Sequence, residues 1–357
     1  MRKITLLIFA LLLCLMAVSA AQALDTPYDP ATVCHTLSLT DRQMALVEYL
    51  YPRVTAGEED ITLPEGTAFD DVSPALRALG LDFPELIHLG SQWTTHYYRS
   101  APDVAVSVTV QYRMNQQAYH RALTDMMNIA RAMAAPGENQ VETAELLHDR
   151  LCERVSYARG EGDHTAYEAL VTGRAACEGY SKALALLYRL AGIPCGVVTG
   201  EAVDESENVE GHAWNVAKVA GAWMLLDATW NDQDKENLNT HWYYGLSDEQ
   251  MARDHTPVAD SALPLCPECS INWHERRGLI VRTEKDLFRA LKALVRQQQP
   301  VSLRFADADE YTRFTLDLSG ALTRYNDQAV PGDEFYGRLS VLSSPRQHTV
   351  MLRWYPQ

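Results

Sequence analysis

A cysteine at a predicted helix start, and a histidine and an aspartate on two predicted neighbouring strands, have the types and spacing for nucleophilic attack on a carbonyl. Cys177 lies in Gly173-Arg-Ala-Ala-Cys-Glu-Gly-Tyr-Ser-Lys-Ala-Leu184. Tyr180, Leu184, Leu187, Tyr188 and Leu190 follow at helical spacing, and Gly192 with Pro194 ends the run. Cys177 thus falls in the first turn, where unpaired backbone N–H groups and the positive end of the helix dipole favour a thiolate. The same amides can donate to the oxyanion formed when sulfur attacks a carbonyl. A cysteine at a helix start is more often packed core, so its neighbours carry the argument.

His212, in Gly211-His-Ala-Trp-Asn215, opens a predicted strand to about Val219; a turn near Ala220-Gly221 and a return strand Ala222-Trp-Met-Leu-Leu-Asp227 follow. A two-residue loop pairs Val219 with Ala222 and sets Asp227 opposite Trp214, whereas a four-residue loop sets Asp227 opposite His212. Side chains alternate along strands, so either register puts His212 and Asp227 on one face. A carboxylate there fixes the imidazole's tautomer and stabilises its cation, as a nucleophile–base–orienter arrangement requires.

The elements around them divide into three regions. Residues 24–135 read as an α+β unit: helices at Asp41 to Tyr51 and around Pro74 to Leu79, strands at Gln92 to Tyr98 and Val104 to Tyr112 with Val106, Val108 and Val110 on one face, then a helix from about Gln117 to Ala134. The Met126, Met127 stripe of that last helix reads as core. Pro136-Gly137 marks a boundary, and residues 136–258 hold the chemistry, beginning with a helix from Val141 to Val155 that turns Leu146, Leu147, Leu151 and Val155 inward. Residues 259–357 start with a strand at Leu279 to Val281. A helix capped by Thr283 with Asp286, a strand at Val301 to Phe305 and mostly β structure follow, with no sign of catalysis.

The 357 residues, 47% hydrophobic and 22% charged, suffice for two or three cores. Arg2 and Lys3, an apolar run from Ile4 to Val18 and Ala21-Gln22-Ala23 read as an export signal over residues 1–23. An uncleaved membrane anchor is the competing reading, because the run is little short of a membrane span. Without that segment the net charge is −18, which disfavours nucleic acid and anionic lipid as partners and leaves neutral or basic peptides. Six cysteines remain, Cys34, Cys152, Cys177, Cys195, Cys266 and Cys269; if Cys177 is a thiol, the other five cannot all pair. Cys266-Pro-Glu-Cys269 admits a local disulfide, half a zinc site or two thiols. No second C-x-x-C accompanies it, and the imidazoles near it in sequence are His255 and His274. Asp232, Asp234 and Glu236 lack the Asp-x-Asp-x-Asp-Gly pattern of a calcium loop. No metal or cofactor is expected.

The order of Cys-x-Gly-Tyr, His-Ala-Trp-Asn and Asp-Ala-Thr-Trp-Asn-Asp over about residues 140–250 resembles the transglutaminase-like superfamily. Ala191-Gly-Ile-Pro-Cys-Gly-Val-Val-Thr-Gly200 is similar to that family's strand between cysteine helix and histidine strand. The resemblance implies an α+β fold with a papain-like core, a cysteine-bearing helix packed on an antiparallel sheet, flanked by small accessory regions. It makes Cys177 the nucleophile, His212 the base and then acid, and Asp227 the orienting group. His164 and Tyr167 fall where members place cleft or oxyanion residues, although a structural hydrogen bond explains either equally well. Trp214 and Trp230 would wall the site, a role core packing also accounts for. The function implied is acyl transfer from peptide or protein amides at the cell surface or outside the cell, cell-wall peptide included, with hydrolysis favoured over cross-linking. The alternative is a cell-surface binding or scaffolding module that keeps the triad without turnover.

Overall fold

Three sheets of three or more strands organise the computed structural model, which describes residues 38–159, 164–233, 238–259, 262–267 and 270–356. The expected leader, Cys34, Cys269, Asp234 and Glu236 lie outside the described residues. Helix α1 (Asp41–Thr55) starts at a Thr40–Gln43 capping box. It packs with α2 (Phe69–Asp82) over an antiparallel sheet of β1 (Asp60–Thr62), β2 (Leu89–Tyr98) and β3 (Ala101–Tyr112), in the order β1-β3-β2. Val108 and Val110 face this core as expected, but Val106 does not fully join them. A register shift on the β2 ladder turns Ala105 inward and leaves Val106 half-buried.

Helix α3 (Gln116–Met133) corrects the expected division of the chain. Its Tyr119, Leu123, Met126, Met127 and Ala130 are core, but they pack with the cysteine helix, not with the first sheet. The break between cores therefore precedes α3 instead of following it at 135. Helix α4 (Gln140–Arg154), capped by Asn139, buries Leu147 and Leu151 and leaves Leu146 half-buried. These helices lie against α5 (Cys177–Leu190), in which every residue from 179 to 188 is buried because the central sheet covers its other side.

That sheet comprises β4 (Cys195–Val203), β5 (Val209–Val219), β6 (Ala222–Leu226), β7 (Tyr244–Leu246) and β8 (His255–Pro257), all antiparallel in the order β7-β6-β5-β4-β8; a short helix, α6 (Ala228–Asn231), follows β6. Val219 pairs with Ala222, so the two-residue hairpin is the register adopted. Ala220 and Gly221 both have positive φ, 50° and 87°, the backbone twist that tight hairpins need. Buried Asn215 donates to the carbonyls of Ser181 on α5 (2.9 Å) and Gly196 on β4 (3.1 Å), fastening the cysteine helix to the sheet. An α+β fold with a cysteine-bearing helix on an antiparallel sheet is what the sequence led us to expect.

The C-terminal sheet has the order β9-β10-β12-β11, formed by β9 (Ile280–Val281), β10 (Val301–Phe305), β11 (Gly337–Ser344) and β12 (Thr349–Pro356); β9 and β10 are parallel. The capping box at Thr283 and Asp286 opens α7 (Glu284–Gln297). The expectation of mostly β structure after β10 is wrong, because α8 (Ala308–Leu316) and α9 (Leu318–Asn326) intervene. Asp307 caps the first, and Tyr311, Phe314, Ala321 and Tyr325 supply their buried stripe. Met351 and Leu342 of this region pack with Val198, Trp214 and Leu225, on the central-sheet face that carries His212. Among the described residues no helix is long and apolar enough to cross a membrane.

Candidate active site

Cys177 is the first residue of α5, and its N-cap, Ala176, has no side-chain acceptor to occupy the first-turn amides. Ser181 Oγ donates to the Cys177 carbonyl (2.8 Å), and Tyr180 Oη ties the next residues to Val155 O (2.8 Å) and Asp232 Oδ2 (2.7 Å). Asp232 of the acidic run is therefore a structural acceptor. Cys152, Cys195 and Cys266 are buried, whereas Cys177 is partly exposed. Burial pushes the Cys152 and Cys195 thiols up, which leaves them poor nucleophiles.

His212 and Asp227 meet as the strand alternation requires. Imidazole Nε2 donates to Asp227 Oδ2 at 2.7 Å, with the side chains 6% and 0% exposed. The other carboxylate oxygen, Oδ1, accepts from the amides of Thr229 (2.8 Å) and Trp230 (3.2 Å) at the start of α6, so both oxygens are held. Burial alone would favour a neutral ring, but the charge and hydrogen bond of Asp227, with a further contribution from the Cys177 sulfur, raise His212 to about 10. Burial likewise opposes the carboxylate, yet His212, then His255, keeps Asp227 well below the usual carboxylate range. With Nε2 committed to Asp227, Nδ1 is the nitrogen left for Cys177.

Both tryptophans border this pair. The Trp230 ring lies 5.1 Å from the His212 ring between centroids, and Trp214 lies 6.2 Å away, nearly parallel. Trp214 also belongs to the core on the His212 face of the sheet, with Val198, Leu225 and Met351. His164 sits near Glu178, the residue after Cys177 (Nδ1–Oε2 3.7 Å), and with it lines a groove of about 610 Å³. An adjoining cavity of about 360 Å³ between α2, β2 and α5 is walled by Leu81, Phe83, Leu86 and Ile87, with Glu178 and Lys182 at its α5 side. Tyr167 packs against the main core, and its amide donates to Thr165 Oγ (3.2 Å).

Sequence reasoning assigned no role to three residues here. Asn215 stood inside a quoted motif, and its clamp depends on the strand pairing. His255 and Asp254 carried no signal beyond adjacency, since their three-residue edge strand reaches the site by pairing with β4 across more than fifty positions. His255 touches Asp227 and Asp254, and His274 Nε2–H donates to Ser302 Oγ (2.8 Å), whose own proton goes to Thr240 O (2.7 Å), so both imidazoles near Cys266 are engaged elsewhere.

Among the described residues, His148, Asp149 and His241 form a second cluster of converging polar atoms besides His212, Asp227 and His255. In the second, Asn231 Oδ1 accepts from the Tyr243 amide (2.8 Å), which makes Asn231 Nδ2 the donor to His148 Nε2 (3.0 Å). His148 Nδ1–H must then donate to Asp149 Oδ1 (3.0 Å), where His241 Nε2 (2.7 Å) and Asn239 Nδ2 (2.8 Å) also converge. These hydrogen bonds make the group a seam between α4 and the loop before β7.

Residues 127–228, spanning Cys177, His212 and Asp227, match the model of the transglutaminase-like superfamily. That segment is a transglutaminase-like domain. The chain is similar to human kyphoscoliosis peptidase, with 31% identity over 145 residues, covering 35% of this chain and 22% of that protein. It is also similar to the mouse protein of that name, with 30% identity over 93 residues, 22% of this chain and 14% of that one. The chain thus spans less than a quarter of the length of these relatives. Among solved structures, a TGase aligns at a TM-score of 0.28 and 11% identity, covering 47% of this chain and 48% of the other. The periplasmic domain of TgpA from Pseudomonas aeruginosa, bound to ethylmercury, aligns at 0.22 and 18% identity, covering 38% and 59%.

Proposed function

We propose that this transglutaminase-like domain belongs to an exported thiol enzyme that takes acyl groups from peptide or protein amides through a Cys177 thioester. The observation that supports this most is the buried His212–Asp227 hydrogen bond with the Cys177 sulfur acting on the same ring. His212 holds the thiol proton at Nδ1 while the thiolate attacks the amide carbonyl, and first-turn amides of α5 receive the oxyanion. As the tetrahedral intermediate collapses, the C–N bond breaks and His212 gives its proton to the departing amine. In the second half His212 removes a proton from the acceptor, the acceptor attacks the thioester, and Cys177 leaves as thiolate. Water as acceptor gives hydrolysis; a primary amine gives cross-linking. We favour hydrolysis, in keeping with relatives named as peptidases. The apolar cavity beside Glu178 suits a hydrophobic side chain of a peptide. The catalytic domain of this reading is residues 136–258, with α3 added by its packing, and export rests on the leader-like start.

The test is to incubate the protein with a mixed peptide digest, quench in acid and search Cys177 for acyl adducts by mass spectrometry. Hydroxylamine-labile adducts at Cys177, absent in Cys177→Ala, are expected. If Cys177 alkylates readily but accumulates no acyl group and releases no product, the binding or scaffolding module becomes the better account.

A further inference from the structure

We propose that His255, a buried cation between two carboxylates, shares Asp227 with His212 and limits how tightly Asp227 holds the His212 proton. Its catalytic meaning rests on the function proposed above; its charge state does not. His255 Nδ1 lies 2.6 Å from Asp254 Oδ1 and Nε2 lies 3.3 Å from Asp227 Oδ2. A neutral imidazole has one N–H and would turn a lone pair on one of these oxygens; only the cation donates to both.

Shifting the proton onto a carboxylate instead is disfavoured by what the oxygens already accept. Asp227 Oδ1 takes two backbone amides and Oδ2 takes His212. Asp254 Oδ2 takes Tyr243 Oη (2.9 Å) and Gln347 Nε2 (2.8 Å). Gln347 comes from the β11–β12 turn, so the C-terminal hairpin braces the site from behind. Packed around His255 are the rings of His212, Trp214, Trp230 and Tyr243, and Ala202 lies across the β4 ladder. The charged or titratable groups that face it are thus Asp227, Asp254, His212 and Tyr243, with buried Arg304 acting on Asp254 and the neutral thiol of Cys152 near Asp227. Burial opposes a charge on His255, and the two carboxylates outweigh it, so the group is raised above the usual histidine range.

Two imidazoles on one carboxylate divide its charge. The His212 and His255 ring centroids are 5.4 Å apart. At an effective dielectric of about 20, a unit charge at that spacing makes the other cation easier to deprotonate by roughly two pH units. A general acid works best when its proton is not held far above working pH, and His255 moves His212 in that direction.

The experiment is a ring-nitrogen NMR titration of the full chain with ¹⁵N-labelled histidine, assigned with His255→Gln and repeated in Asp254→Asn. We expect both His255 nitrogens protonated from pH 6 to 7, and the His212 titration midpoint raised by about one pH unit or more in His255→Gln. Asp254→Asn should move it the same way by less. A His255 ring carrying one proton in that range, or a His212 midpoint that stays or falls in His255→Gln, overturns the proposal. Should the variants fail to fold, the unmutated protein still decides the charge of His255. A cationic His255 beside an inert Cys177 would reject the enzyme reading while leaving the charge assignment standing.

Discussion

Replacing Asp227 by Asn tests the electrostatics of the pair with little change of shape. Asn keeps an oxygen for the Thr229 and Trp230 amides, so the start of α6 survives. Its NH₂ then points at His212 Nε2, which must present a lone pair, and the ring proton moves to Nδ1, facing Cys177. That tautomer cannot accept the thiol proton. Without the anion, burial is no longer outweighed and holds His212 at or below the ordinary histidine value near ~6.5, down from about 10. At pH 8 the protonated fraction then drops from nearly all to about 3%, roughly thirtyfold. The assay is His212 ring NMR at pH 8 together with site-resolved alkylation of Cys177 at about pH 7, where the variant's His212 is mostly neutral and we expect a roughly tenfold slower reaction, with circular dichroism confirming the fold. A His212 midpoint still above about 9, or an alkylation rate within twofold of the parent, would refute the reasoning.

Further outcomes follow from the same geometry. Gly200 faces His212 on β4, and a Cβ there would meet Thr256 O at 2.1 Å and Trp214 Cη2 at 2.7 Å. Gly200→Ala should cost about 1–3 kcal/mol in urea unfolding and slow Cys177 alkylation by displacing β8. Gly211→Ala, with open space around it, should stay within about 0.5 kcal/mol. Asn215→Ala strips the donors from two buried carbonyls and should cost about 2–4 kcal/mol, measured the same way. Asp227 and Asp149 both ionise below the usual carboxylate range, so the unfolded chain binds more protons as acid is added. Their contribution is complete above about pH 4 and is lost as pH falls further, and a thermal-melt series should show a shallower acid slope in Asp227→Asn.

How far the sequence disclosed this arrangement depends on the range of the interactions. Helix α5 was legible because its apolar spacing and its Gly192–Pro194 stop are local, and the His212–Asp227 pair because strand alternation survives either hairpin register. Choosing the register needed the positive φ of Ala220 as well as of Gly221, which an alanine does not advertise. The packing of α3 could not be read, since a stripe of Met126, Met127 and Leu123 fits either neighbouring core equally well. Two helices after Asp307 went unread although Tyr311 and Phe314, then Ala321 and Tyr325, recur at helical spacing. His255 stayed hidden for a different reason: its edge strand is three residues long, and its partners Asp227, Asp254 and Gln347 come from separate parts of the chain.

The central claim is that Cys177 and His212 form an activated pair, and the most direct test is the alkylation rate of Cys177 against pH, resolved by mass spectrometry, in the parent and in His212→Ala. The account predicts that alkylation of Cys177 slows by about tenfold or more in the variant near neutral pH, because the base that takes the thiol proton is gone. A Cys177 that reacts like a free thiol, with the same profile in both proteins, would contradict it.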